Sequence, residues 1–460
     1  MTFISFEFLV VFLCVFCVYW ICKNEYRKYV IIGANVIFYM GCGIPYFILL
    51  SGVILISYVG GILLEKKCEN KKITLVILLS VFISCLLFFK YAGLLGSITE
   101  NLILPLGISF YTFKVISYLV DVYKGMNAEK NVVNYALYVS LFLDIASGPI
   151  DRYSLIMPQI NKEHFFDYKK CTYGLKLIAW GMFKKMVVSD TMSFYTEWIY
   201  GSIYSYSGLT LLLTSIFYTV QIYCDFSAYT DIAIGLGKML DLDLMINFKS
   251  PYFATSVKEF WNRWHISLST WFRDYVYIPL GGNRLGNVRR AINLILTFLI
   301  SGIWHGASWN FILWGGIHGI TQVLEHIMEH NVHNPKGVVK LIKNIGVFVF
   351  CNFTWVLFRL TSWKDIVYFF CNFFRGISNP IMYAVQAQQD FHMDKFLLGK
   401  ICFMIALVFV FDYFNQKKDV IEWIGSRKLI TRWTIYSVFA LLCYAFLPVA
   451  QGQEFLYFQF

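Results

Sequence analysis

Long apolar runs separated by short polar loops organise the chain from its first residues. Residues 3–21 (FISFEFLVVFLCVFCVYWI) are interrupted only by Glu7 and approach the ~20 residues a helix needs to cross a bilayer. The run has neither a basic start nor a small-residue cleavage site, so it reads as a retained span and not as a removed signal peptide. Two further runs meet at the tight GCGIP turn (41–45), and others cover 73–89 and 102–120, the last carrying Pro105 and Gly107, which favour a break. Further runs lie near 132–147, 171–190, 207–223, 291–303, 308–325, 342–358, 364–374, 398–415 and 431–448. The pattern predicts an all-α polytopic membrane protein with about eleven transmembrane helices plus shorter pieces. No internal repeat of the kind that marks many transporters is visible.

One segment, from Asp225 to Arg290, breaks this pattern. Lys258, Glu259, Arg263, Arg273 and Asp274 would each cost about 2.5–3.5 kcal/mol at the centre of a lipid-facing helix, which excludes an ordinary span. Polar, irregular backbone at membrane depth is tolerated where protein or a water-filled cavity surrounds it. Re-entrant or interfacial helices cradled by the flanking spans are therefore expected. On one continuous helix, Trp261, His265, Leu268, Phe272 and Tyr275 would form an aromatic stripe, with Asn262, Ser269 and Arg273 on another face. The aromatics alone read as core packing. His265 adds a polar ring on that stripe, and such a ring needs a partner.

Composition agrees with the pattern: 58% of the 460 residues are hydrophobic and 15% charged, and the mean hydropathy is +0.59, outside the range of a soluble globular enzyme. The net charge of +11 does not imply nucleic acid, because the basic residues fall in short loops. Lys23, Arg27 and Lys28 follow the first span, and Lys66, Lys67, Lys71 and Lys72 follow the third. The positive-inside rule puts both loops in the cytoplasm and the N-terminus outside. The twelve cysteines are scattered through apolar runs, Cys14 and Cys17 among them, and read as small packing residues.

Candidate chemistry concentrates in FLISGIWHGASWNFILWGGIHG (298–319). Gly302 and Gly306, and Gly315 and Gly319, are spaced for close helix approach in a membrane. His305 has no ionised partner nearby in sequence, so apolar surroundings favour a neutral imidazole able to accept a proton from a hydroxyl. The alternative is a histidine that bonds a carbonyl across a helix interface. On one straight helix His318 would lie ~20 Å from His305, which makes it supportive unless the GAS step breaks the helix. His326, His330 and His333, flanked by Glu325 and Glu329, have spacings that a metal could use, but a polar loop flank is usually solvated. No metal site is expected. There is no GxSxG elbow, P-loop or HExxH zinc helix.

Six stretches together resemble the membrane-bound O-acyltransferase superfamily, and within it the branch of bacterial alginate O-acetyltransferase membrane proteins. They are LPLGISFYTFKVISYLVDVYKG, SGPIDRYSLIMPQI, GLKLIAWGMFKKMVVSD, YCDFSAYTDIAIGLGKML, NFKSPYFATSVKEFWNRWHISLSTWFRDYVYIPLGGNR and ISGIWHGASWNFILWGGIHG. The ending EFLYFQF also looks like that branch. The resemblance implies a single membrane domain over 1–460, with N-terminal spans (1–101), a catalytic core (102–320) and C-terminal spans (321–460) around a central funnel or tunnel. It implies that His305, in WHG, matches the essential histidine, and that His265, in WHISLS, matches the second active-site position. Trp261, Asn262, Arg263, Trp264, Arg273, Trp304, Asn310 and His318 are the surrounding residues expected to meet substrate.

The resemblance further implies acetyl-CoA as cytoplasmic donor, a serine-type acyltransferase partner outside, the polysaccharide-synthesis machinery and membrane lipids as company, and a bacterial inner membrane as location. His305 would act as general base on a hydroxyl attacking a thioester. His265, Asn262 or Trp264 would orient the acyl group or stabilise the oxyanion, a contribution of about 2.7–4 kcal/mol in acyl-transfer sites. Arg263, Arg273, Arg284, Arg289 and Arg290 either meet the phosphates of CoA or simply set topology. Transfer of D-alanine from a carrier protein towards teichoic acid, a glycan transporter or flippase with proton-relaying histidines, and a noncatalytic scaffold are the competing readings.

Overall fold

The computed structural model describes residues 2–66, 70–91, 104–145, 148–328 and 335–447, and no strand occurs among them. In chain order the helices are α1 Phe6–Ile21, α2 Asn24–Met40, α3 Ile44–Glu65, α4 Lys71–Tyr91, α5 Ile108–Tyr123, α6 Val132–Ser140, α7 Tyr153–Ile160, α8 Tyr168–Met182, α9 Asp190–Gly201 and α10 Leu209–Met239. There follow α11 Val257–Trp261, α12 Ile266–Phe272, α13 Gly286–His305, α14 Trp309–Met328, α15 Gly337–Arg359, α16 Trp363–Asn372, α17 Pro380–Asp390, α18 Lys395–Asn415, α19 Val420–Gly425 and α20 Leu429–Phe446. The all-α polytopic architecture is as expected. Among the described residues six helices, α3, α4, α10, α15, α18 and α20, are long and apolar enough to cross a membrane, and α1 is a shorter apolar helix. The apolar runs at 132–147 and 364–374 fold instead as the nine-residue α6 and the ten-residue α16, each well short of the ~20 residues of a crossing.

The chain forms two compact units that interleave in sequence. The first comprises Met1–Ala179, Tyr229–Ile246 and Arg273–Tyr275. Its α5 begins where the sequence favours a break: Gly107 takes φ +72° as N-cap, and a Cβ there would lie 2.0 Å from the Ile145 carbonyl oxygen. Lys114, fully buried on α5, pairs with Asp144 at 2.7 Å. Near one end of α10, Asp241 receives Lys162, Lys170 and the Nδ1 of His164, the last at 3.1 Å. Burial pushes the His164 pKa down, against the upward pull of Asp241. Its imidazole is therefore neutral near pH 7 and donates Nδ1–H to the carboxylate. Asp241 is itself held below its usual range by the bonds from Lys170 and His164, which outweigh burial.

The second unit comprises Trp180–Ala228, Asn247–Phe272 and Val276–Phe460. A π-helical segment, Phe183–Ser189, joins α8 to α9. It brings Lys185 and Asp190 together twice, through the backbone bond from Asp190 N–H to the Lys185 carbonyl and through a 2.9 Å ion pair. Lys185 also reaches Asp225 on α10 at 2.8 Å, so a fully buried ammonium is shared by two carboxylates. Removing Lys185 would leave two carboxylates buried close together, which is costly.

α13 and α14 form an antiparallel hairpin and are the most extensively packed helix pair among the described residues. A Cβ at Gly302 would sit 2.3 Å from the Phe311 carbonyl oxygen, and one at Gly315 would sit 2.3 Å from that of Phe298. The obstacle is backbone and cannot rotate away. Gly306 plays another part: it leaves the helix with extended backbone and ends α13 at His305.

These contacts make the hairpin sensitive to a single methyl group. Gly302→Ala and Gly315→Ala should each destabilise the solubilised protein by about 1–3 kcal/mol, read as a lowered thermal midpoint. Gly316→Ala, whose nearest neighbour is a Leu299 methyl at 3.6 Å, should be tolerated. Acidification should also destabilise the first unit. Both His164 and Asp241 have depressed folded values, so their contributions are present above their usual 6.5 and 3.8 and are lost as pH falls below each in turn. The midpoint should drop between pH 7 and 5, and His164→Asn should flatten that part of the profile; an unchanged slope would refute the assignment.

Candidate active site

Three buried histidines, His265, His305 and His318, lie in the second unit, and local sequence explains the position of each. α11 is set by a capping arrangement. The Ser256 hydroxyl accepts from Glu259 N–H at 3.0 Å, and the Glu259 carboxylate reaches back to Thr255 N–H at 2.7 Å. From α14, the Glu325 carboxylate accepts from the backbone N–H groups of Val257 and Lys258. Glu325, expected in a solvated flank, instead anchors α11. His330, His333 and Glu329 lie outside the described residues, and His326 Nε2 lies 2.7 Å from Arg290 Nη1. Among the described residues no group of three or more His, Cys, Asp or Glu is placed to hold a metal ion.

The single helix expected through Trp261 and Tyr275 is broken. Trp264 N–H bonds to Phe260, but the Ile266 N–H that would continue the ladder goes to the Asn247 carbonyl at 3.0 Å. His265 between them takes φ +43°, a left-handed conformation that costs a non-glycine residue about 1–3 kcal/mol. Asn247, fully buried, stabilises the turn with its side chain as well: its Oδ1 accepts from Ser267 N–H at 3.2 Å and from Ser267 Oγ at 2.6 Å. α12 restarts from there. The His265 ring, 2% exposed, meets the Phe226 ring edge-on at 4.6 Å.

His305 is the last residue of α13 and is 6% exposed. Its ring lies 4.5 Å from that of Trp304, 5.2 Å from Trp314 and 5.0 Å from Phe358. Because the helix breaks after it, α14 folds back and His318 does not lie a straight-helix distance away. The Trp314 indole touches both histidines, its ring 4.9 Å from that of His318. His318 is satisfied at both nitrogens. Nδ1 accepts from Trp261 Nε1–H at 3.1 Å, which fixes the proton on Nε2, facing Thr354 Oγ1 at 3.2 Å. The Thr354 hydroxyl in turn donates to the Cys351 carbonyl.

The remaining expected residues divide. Trp261, Trp264 and Trp304 join the aromatic cluster, Trp264 lying 4.9 Å from Trp355, which stacks 6.0 Å from Trp314. Asn310, 2% exposed, donates Nδ2–H to the Leu357 carbonyl at 2.7 Å, next to Phe358. Asn262 is exposed at the end of α11, because the turn to His265 points it away from the cluster. Arg263 is engaged by Glu259 at 2.6 Å. Arg273 belongs to the first unit, 60% exposed and paired with Asp274. Sequence reasoning missed Asn247, Trp314, Thr354 and Phe358, of which Asn247 and Trp314 sit inside stretches already singled out.

Residues 130–363 match the membrane-bound O-acyltransferase family. The chain is 36% identical over 381 residues to the probable alginate O-acetylase of Pseudomonas putida, covering 78% of this chain and 77% of that protein. It is 36% identical over 378 residues to the peptidoglycan O-acetyltransferase of Helicobacter pylori, covering 73% and 72%. Similarity to the teichoic acid D-alanyltransferase of Bacillus subtilis is 31% over 240 residues, 50% of this chain and 61% of that protein. A buried histidine closing a helix inside an aromatic cluster thus sits within the matched region of a chain that belongs to the membrane-bound O-acyltransferase family.

Proposed function

We propose that this O-acyltransferase moves an acetyl group from a cytoplasmic thioester, acetyl-CoA, across the membrane for O-acetylation of an exported cell-envelope or exopolysaccharide, with His305 as general base. The observation that carries the proposal is the setting of His305: a histidine 6% exposed at the end of α13, against Trp304, Trp314 and Phe358. Such surroundings favour the neutral imidazole, the form that takes a proton from a hydroxyl. His265 orients the acyl group from its left-handed turn, and Asn310 helps to hold substrate. The likeness to alginate and peptidoglycan O-acetyltransferases supports an envelope glycan as final acceptor.

Topology supports the direction of transfer. The lysines and arginines flanking the α1–α2 and α3–α4 turns support an N-terminus outside a bacterial inner membrane. The same rule puts the arginine-bearing start of α13 on the cytoplasmic side, with Arg289 about 24 Å from His305 along the helix. A serine-type partner outside the membrane would then receive the acyl group for the polysaccharide machinery. The chain works as one membrane domain whose catalytic core is 102–320. The D-alanyl reading is favoured by the teichoic acid relative alone.

Labelled acetyl transfer from acetyl-CoA to envelope glycan, in membranes holding the protein and its partners, tests the proposal. His305→Ala at matched protein level should lower transfer about 10²–10⁴-fold. Undiminished transfer would remove the base assignment, and label accepted only from carrier-bound D-alanine would favour the second reading. His318→Phe should behave differently, because it strands the partly buried Trp261 N–H. A stability loss of about 1–3 kcal/mol is expected, with turnover per folded molecule within a few-fold of wild type.

A further inference from the structure

Trp314 stands at the centre of the aromatic cluster and is 1% exposed. Its indole is held on several sides, by Trp261, His318, Trp355 and Phe358 at ring separations of 5.6, 4.9, 6.0 and 5.4 Å, and it meets the His305 ring nearly at right angles. A tryptophan N–H can only donate, and a buried donor normally finds an acceptor. In the same cluster Trp261 does so, on His318. Trp314 Nε1 does not: it is buried and makes no hydrogen bond.

An unspent acceptor lies one helical turn away. Asn310 and Trp314 are spaced i, i+4 and share a face of α14. Because the Leu357 carbonyl can only accept, the Asn310 amide nitrogen must be the atom 2.7 Å from it. Oδ1 is then fixed on the other side, buried and without a donor. A donor and an acceptor are thus left unmet on a helix face whose Trp314 ring touches His305; the neighbouring Trp355 also keeps an unmet N–H, but it is Trp314 that lies against the His305 ring. Packing alone gives no reason for this, whereas a substrate bringing a carbonyl and a hydroxyl would satisfy both.

We propose that Trp314 Nε1–H is a catalytic donor that holds the carbonyl oxygen of the acyl group, a role that rests on the reading of His305 as general base. As the acceptor's hydroxyl oxygen bonds to the thioester carbon, its proton passes to the imidazole of His305 and the carbonyl π pair moves onto oxygen. That oxyanion accepts from the indole N–H. When the pair returns, the C–S bond breaks, and the leaving thiolate takes the proton back from the imidazolium. A donor locked by surrounding rings before the reaction loses nothing to reorganisation when the charge develops. Asn310 Oδ1 is placed to accept from the hydroxyl before attack.

The test replaces Trp314 with 3-benzothienylalanine, which keeps the bicyclic shape but exchanges N–H for sulfur, and separately makes Trp314→Phe. Both are compared with wild type and His305→Ala in acetyl transfer from acetyl-CoA in membranes with the partners present. The benzothienyl protein should keep its thermal midpoint and KM for the donor within a few-fold, while kcat falls about 10²–10³-fold. Trp314→Phe should fall at least as far. Wild-type kcat in the benzothienyl protein, with His305→Ala inactive, would overturn the donor role and leave the base intact. Equal transfer by wild type and His305→Ala would overturn the reading of the base, and with it the proposal.

Discussion

The backbone contact between Gly302 and the Phe311 carbonyl, and its counterpart between Gly315 and Phe298, governs the geometry around His305. A hydrocarbon environment gives two apolar helices little reason to choose one register over another, because lipid is as apolar as leucine. Missing side chains supply the choice: only where glycines face the opposing backbone can the axes come this close. That register puts Trp314 against His305 and His318, and it places Asn310 beside Leu357. The termination of α13 at Gly306 belongs to the same device, since a helix continuing past His305 would carry Trp314 away from it.

A second constraint acts through hydrogen bonding. With no water in the bilayer core, irregular backbone must be satisfied by protein, and the α11–α12 turn meets this through Asn247, which serves Ile266 N–H with its carbonyl and Ser267 with its side chain. These bonds offset the strain of His265 at φ +43°. Strain of this kind persists where the surroundings over-determine it. Here the result is a histidine fixed in direction by its backbone, beside a ring from α10.

Much of this was legible in the sequence, and what escaped has physical reasons. Apolar runs, basic loops and closely spaced glycines report burial and packing, so the helical membrane architecture and the close helix approach within residues 298–319 could be read directly. The periodicity of the 261–275 stripe misled, because it registers apolar spacing and cannot register that Asn247, outside the stripe, captures the amide needed to continue the helix. Asn262 and Arg273 failed to join the cluster for the same reason. Lys184 and Lys185 fell inside an apolar run without a visible purpose. The partners of Lys185 depend on a π-helical segment that brings residue 190 into phase with 185, and on Asp225 far along the chain. Nor does a sequence reveal which of several indoles finds an acceptor: Trp261 and Trp314 look alike until one is seen on His318 and the other is not.

The length of α13 sets the last relation. Arg289 and His305 belong to one helix, at opposite ends of a segment about 24 Å long. Proximity in sequence therefore does not put the arginines beside His305, and on the proposed reading any bond they make to a donor's phosphates is made far from its thioester. On that reading the separation suits a donor with a charged head and a long arm: the head would remain among cations at the basic end while the acyl group reached an enclosure of rings. There, low polarity strengthens each remaining dipole, which is the setting that the base proposed at His305 and the donor proposed at Trp314 require.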